Sequence, residues 1–118
     1  MIFSTRLIQY NVVNGNGRTY LPTDTSWPDR LLYGTIEHPK DFSVPLDKIV
    51  ASARVFERPD GVWAEVTPVR TNPDLANLFE RMIDNGYTVV PSGAGRIDEN
   101  GVVRDFRLIS FYLTKNPA

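Results

Sequence analysis

The alternation of apolar and polar residues predicts strands over most of the chain. Segments with this pattern, rich in β-branched and aromatic side chains, occupy 2–13, 30–36 and 102–114. Two more such segments, 47–58 and 62–69, flank the pair Asp60-Gly61. Because Asp-Gly favours the tight turn that joins two antiparallel strands, these two segments are expected to form a β-hairpin.

One segment, at about 72–85, has the spacing of an amphipathic helix instead. Its apolar positions fall on one face and are Leu75, Leu78, Phe79, Met82 and Ile83. Thr71 or Asn72 can cap the first turn, where Pro73 is also favoured, and Gly86 suits the left-handed residue after the last turn. We therefore predict one main helix whose apolar stripe faces the core.

These segments define the expected fold class. With 42% hydrophobic and 23% charged residues, the chain has the composition of an ordinary globular protein. Its length of 118 residues suits one domain, and no repeat or linker divides it. We predict a single compact α+β domain over 1–118, with a bent or barrel-like, mostly antiparallel sheet of six or seven strands and the one helix.

Charge and composition narrow the function classes. The net charge is −1 with interspersed charges, which argues against a nucleic-acid-binding face. No apolar run approaches the roughly 20 residues that a membrane helix needs, and no signal peptide precedes the first strand. Cysteine is absent and histidine occurs once, which excludes disulfides, thiolate sites and a histidine-rich metal site. Carboxylate sites stay open, and no particular metal or cofactor is predicted. The glycine-rich 15–18 lacks the residues and helix of a phosphate loop.

Two residues carry the candidate chemistry. Ser92, in the segment PSGAG, is expected on a tight turn after an apolar strand, where the amides of Gly93 and Gly95 could serve as oxyanion donors. His38, in LLYGTIEHP, is the only possible imidazole base. For each residue an ordinary structural role is the alternative, because such turns are common and most histidines are not catalytic.

The order of the segments resembles the capsid-maturation (prohead) proteases of tailed phages. The matching stretches, from about residue 10 to 118, are NGNGRTYLP, LLYGTIEHP, the helix ending in DNG, YTVVPSGAG and GVVRDFRLISFYLTKNPA. The resemblance implies that His38 matches the general base and Ser92 the nucleophile. Two departures stand out: no arginine follows Ser92, and Tyr112 falls where many of these enzymes have an acidic third member. Asp105 is then the remaining candidate for that role.

The resemblance together with these departures leads to a specific expectation about function. We expect a phage virion protein, acting in capsid decoration, cementing or head assembly without proteolysis, and the absence of flanking protease segments favours this. Trp27, Tyr20 and Tyr33 are the expected binding anchors, with packing onto the core as their alternative role. The expected partners are the major capsid protein or other head proteins, with homo-oligomers on the capsid. The expected location is the virion, after synthesis in the host bacterial cytoplasm.

The alternative is an active prohead serine endopeptidase that cleaves scaffold and capsid proteins. It would use Ser92 as nucleophile, His38 as base and Asp105 as the third member.

Overall fold

A computed structural model of the protein describes residues 1–38 and 43–115. The proline of the His-Pro motif and the C-terminal Asn-Pro-Ala lie outside these ranges. The elements, in chain order, are β1 Phe3–Gln9, β2 Thr19–Tyr20, β3 Thr25–Ser26, β4 Leu32–Thr35, β5 Ala51–Arg58, β6 Gly61–Pro68, α1 Pro73–Asp84, β7 Thr88–Ile97 and β8 Val102–Thr114. Short 3₁₀ turns lie at Pro22–Asp24 and Leu46–Lys48.

The strands form one strongly curved sheet. Its order is β1-β6-β5-β4-β8-β2, and β3 and β7 also pair with β8. The long ladders are antiparallel, whereas the short strands β2, β3 and β4 run parallel to β8. A bridge between Tyr10 and Tyr20 brings the end of β1 beside β2, so the sheet nearly closes into a barrel. The predicted single α+β domain is confirmed, with a mixed sheet.

The predicted hairpin forms as β5 and β6, with the turn at Asp60. Its inner face carries small and branched side chains, including Ala53, Ala64 and Val66, which are fully buried. Period-two alternation places the opposite side chains on the outer face, where Arg58 lies 4.4 Å from the ring of Trp63. The small inner residues let the strands curve closely around the core.

Helix α1 also forms at the position that its capping residues predict. The Asn72 side chain accepts a hydrogen bond from the Leu75 amide (3.3 Å), and Gly86 adopts the left-handed conformation (φ 93°). Phe79 is completely buried, and its ring meets the edge of Phe3 at a centroid distance of 6.2 Å. The predicted apolar stripe therefore does face the core.

One local prediction is wrong. The segment 91–95 is not a turn, because β7 continues through it and pairs with β8 from Thr88 to Ile97. The register of this ladder shifts after Ser92 and again around Gly95. A Cβ atom at Gly93 would lie 2.2 Å from the Arg107 carbonyl oxygen, so only glycine allows the two strands this close. The glycines thus mark bulges in a strand.

Candidate functional site

A cleft of about 780 Å³ lies between β1 and β7, and four of the predicted site residues line it, namely Tyr20, His38, Ser92 and Gly93. Consecutive residues border it, namely 5–9 of β1, 12–16 of the following loop and 88–93 of β7. Its other lining residues are Arg18, Tyr20, His38, Phe106, Tyr112 and Thr114. Because alternate residues of a strand point to opposite faces, such consecutive lining shows that the edges of β1 and β7 border the cleft. We call it the β1–β7 cleft.

Ser92 lies inside β7, and its side chain is buried rather than exposed. The residue is 2% exposed, and its Oγ has no hydrogen-bond partner among the described residues. Directly opposite on β8, Ser110 is fully buried and its Oγ is equally unpartnered. A hydroxyl without a base in hydrogen-bond contact keeps its proton and is a weak nucleophile. The expectation of an exposed nucleophile on a turn is therefore wrong.

His38 follows the end of β4 and reaches the same cleft. A hydrogen bond from Thr35 Oγ1 to the Glu37 carbonyl oxygen (2.6 Å) tightens the chain just before it. The His38 ring meets the Tyr112 ring edge to face, with a centroid distance of 4.6 Å and an angle of 75°. Tyr112 is in turn the diagonal neighbour of Ser92 across the β7–β8 ladder. His38 and Ser92 are thus both neighbours of Tyr112, and no hydrogen bond joins Ser92 Oγ to His38.

Asp105 is not part of this arrangement. It lies seven residues before Tyr112 on β8, a separation of about 23 Å at about 3.3 Å per residue. Its carboxylate pairs with Arg96, and its amide donates to Asp24 Oδ1 at 3.4 Å. The Asp105 carboxylate raises the pKa of Arg96 through this hydrogen bond. The expectation that Asp105 orients His38 is wrong, because an ion pair holds it at a different part of the surface.

Gly93 and Gly95 serve the packing of β7 on β8. Gly93 faces the Arg107 carbonyl and the Phe106 ring, while a Cβ at Gly95 would lie 3.1 Å from the Arg104 carbonyl oxygen. Both residues belong to the strand, so the turn that was expected to free their amides for an oxyanion does not exist. Their glycine identity is explained by close strand approach.

The predicted binding anchors differ in their exposure. Tyr20 and Trp27 are half-buried against the core, and the Tyr20 ring meets Phe106 at a centroid distance of 5.1 Å. For Trp27 the alternative of packing onto the core is correct. Tyr33 is 40% exposed on the outer face of β4, so it remains a candidate surface anchor.

Arg18 is a cleft residue that the sequence did not single out. Asn14 Oδ1 accepts hydrogen bonds from the amides of Asn16 (2.9 Å) and Arg18 (3.1 Å). These bonds close the loop and fix the position of the Arg18 backbone. Burial raises the pKa of Tyr20, and Arg18 partly offsets this effect by favouring the phenolate. The only sequence feature that could have indicated Arg18 as a site residue is its position as a basic residue in a glycine-rich loop.

The chemistry of the cleft is that of a donor-rich surface. It combines two tyrosines, a histidine and two arginines, whereas the serine hydroxyl at its border is buried. No cluster of His, Asp and Glu that could hold a metal ion occurs in the described part of the chain. The arrangement suits hydrogen bonding to a bound group, because the pairing of base with nucleophile that acyl transfer requires is not formed.

Comparison with protein-family models, curated proteins and solved structures finds no match to the chain. None of the helices in 1–38 and 43–115 is long and apolar enough to cross a membrane.

Proposed function

We propose that the protein is a structural component of a tailed-phage head, built on a prohead-protease-like fold and without proteolytic activity. In this role it decorates or cements the capsid, or takes part in head assembly, and it binds the major capsid protein or other head proteins. The support for a phage origin is the ordered resemblance of five sequence stretches to the prohead proteases.

The observation that carries the non-proteolytic part is the state of Ser92. Its hydroxyl is buried and has no hydrogen-bond partner among the described residues. His38 rests on Tyr112, an aromatic ring that supplies no negative charge, and Asp105 is paired with Arg96. A serine protease needs the base on the nucleophile and a carboxylate behind the base, and the loss of that carboxylate alone costs about 10⁴ in turnover.

A binding role is consistent with the surface. Several large apolar side chains are exposed on the described residues, among them Leu31, Tyr33 and Leu46. Leu46 is 88% exposed, and Tyr33 and Leu31 lie close together along the chain near β4. An aromatic anchor such as Tyr33 concentrates binding energy when a partner covers it. We place the contacts with the capsid here and along the sheet edges, with the protein located in the virion.

Cleavage and capsid binding can be tested in one experiment. Purified protein is incubated with the capsid and scaffold proteins of the same phage, and cleavage and cosedimentation are measured together. We expect that neither the wild type nor the variants Ser92→Ala and His38→Ala cleave these proteins. We also expect both variants, and the exposed control Ser4→Ala, to cosediment with the capsid protein as well as the wild type does. Specific cleavage by the wild type and by Ser4→Ala that both site variants abolish would contradict the proposal.

That contradicting result would establish the second candidate, an active prohead serine endopeptidase. The observation in its favour is that Ser92 and His38 line one cleft and both neighbour Tyr112. For catalysis the Ser92 side chain would have to become accessible to a substrate carbonyl and to the imidazole.

A further inference from the structure

We propose that the β1–β7 cleft binds an extended acidic segment of a partner polypeptide, with a carboxylate of that segment on the Arg18 guanidinium. The inference deepens the proposed function and rests on one part of it, namely that the protein acts by binding rather than by cleavage. It supplies the chemistry of the partner, which the resemblance alone leaves open.

The charge of the cleft is the first argument. No aspartate or glutamate is among the residues that line it in the described part of the chain. Of its two arginines, Arg6 is already paired with Asp60 (2.8 Å). Arg18 is exposed and has no ion-pair partner within 1–38 and 43–115. A cation that is unpaired among the described residues, beside a cleft whose described lining has no carboxylate, is complementary to an anionic group.

The second argument is the set of hydrogen-bond donors near Arg18. The hydroxyl-bearing side chains of Tyr20 and Tyr112 line the cleft together with Arg18. His38 covers the Tyr112 ring. Phenol hydroxyls and an imidazole N–H can donate hydrogen bonds to the carbonyl and carboxylate oxygens of a bound segment.

The shape of the cleft favours an extended segment over a small anion. The β7 border, 88–93, is six residues long, which corresponds to about 20 Å at about 3.3 Å per residue. That length matches an extended stretch of about six residues. Pro91 lies in the middle of this border and has no amide hydrogen, so the β7 edge cannot provide a complete ladder to a passing strand. Recognition therefore depends on side chains, with Arg18 as the main determinant.

The experiment uses fluorescein-labelled peptides of about ten residues, long enough to fill the cleft. One pool has Glu or Asp at alternate positions and mixed apolar residues between them, and a matched pool has Lys in place of the acidic residues. Binding to the intact protein is followed by fluorescence anisotropy at physiological salt. We expect the acidic pool to bind at least about tenfold more tightly than the Lys pool.

Variants place the binding in the cleft. We expect Arg18→Glu to weaken binding of the acidic pool about tenfold, because an attraction is replaced by a repulsion. Arg70→Glu makes the same charge change at an exposed arginine outside the cleft and is expected to leave binding unchanged. Urea unfolding of both variants verifies that they are folded.

Several results would overturn the inference. They are equal binding of both pools, a dissociation constant above about 1 mM for the acidic pool, and equal losses in Arg18→Glu and Arg70→Glu. Competition by a single-stranded oligonucleotide at lower concentration than by unlabelled acidic peptide would also overturn it, since the site would then recognise nucleic acid. If the protein cosediments with capsids but does not bind the acidic peptides, this inference fails and the proposed function stands. If the protein binds the acidic peptides but does not cosediment with capsids, the inference stands and the proposed function fails.

Discussion

The substitution Ser92→Ala tests the site, because the direction in which it changes the free energy of unfolding differs between the two functions. In the structure the Ser92 Oγ is buried and has no hydrogen-bond partner among the described residues. A buried hydroxyl without a partner costs about 1–3 kcal/mol. Alanine removes the hydroxyl and leaves a gap smaller than a methyl group. We therefore expect the free energy of unfolding to rise by about 1 kcal/mol, the lower end of that range.

The same substitution has the opposite effect if the site is a working dyad. In that case Ser92 Oγ donates a hydrogen bond to His38, and its removal would lower the free energy of unfolding by about 0.5–1.5 kcal/mol. Urea unfolding distinguishes the two, through a shift of the transition midpoint at constant slope. In a thermal scan the expected rise corresponds to about 4 °C for a domain of this size.

Two further serines make the measurement specific. Ser110, opposite Ser92 and equally buried without a partner in the described ranges, is expected to respond to alanine in the same direction. Ser4 is exposed on β1, and Ser4→Ala is expected to stay within about 0.5 kcal/mol of the wild type. A loss of about 1 kcal/mol or more in Ser92→Ala, with Ser4→Ala unchanged, would refute the reasoning.

Three other predictions concern the fold and its charges. Phe79→Ala is expected to lower the free energy of unfolding by about 3–5 kcal/mol, because the ring is fully buried, and a loss below about 1 kcal/mol in urea unfolding would contradict this. Gly93→Ala is expected to cost about 1–3 kcal/mol through its clash with the Arg107 carbonyl, whereas a purely catalytic glycine would change activity and not stability. The carboxyl pKa values of Asp24, Asp60 and Asp98 are lowered, mainly by hydrogen bonds from Arg104, Trp63 and the Val102 amide respectively. The stabilising effect of these carboxylates is therefore complete above about pH 5 and is lost as pH falls below about 4. We expect Arg104→Gln to reduce this loss when the free energy of unfolding is measured as a function of pH.

Local signals in the sequence account for most of the regular structure. The helix was predictable because its cap, its proline and its apolar stripe agree, and it spans Pro73–Asp84. The final strand, predicted at 102–114, spans Val102–Thr114. The first strand ends earlier than predicted, at Gln9, because its ladder with β6 ends at the Gly61 turn. Strands of two residues, such as β2, are defined by their pairing with β8 and leave no pattern of their own.

The candidate site was less predictable because its geometry depends on distant residues. The glycines of 91–95 indicated a turn, and only the approach of β8 shows that they permit bulges. Asp105 was a candidate because strand periodicity does not reveal its ion pair with Arg96. In contrast, the resemblance assigns Tyr112 to the acidic position, and its ring does lie against His38. This contact, like the hydrogen bonds of the site, depends on how the strands come together and is not contained in the local pattern of the sequence.

The central claim, a permanent and non-proteolytic head protein, is tested most directly by its copy number in mature virions. Quantitative mass spectrometry of purified procapsids and mature heads measures the protein relative to the major capsid protein. The account predicts that the intact chain is present in mature heads in a fixed ratio to the capsid protein. A chain that is present in procapsids but lost from mature heads, together with cleaved capsid termini, would contradict the account.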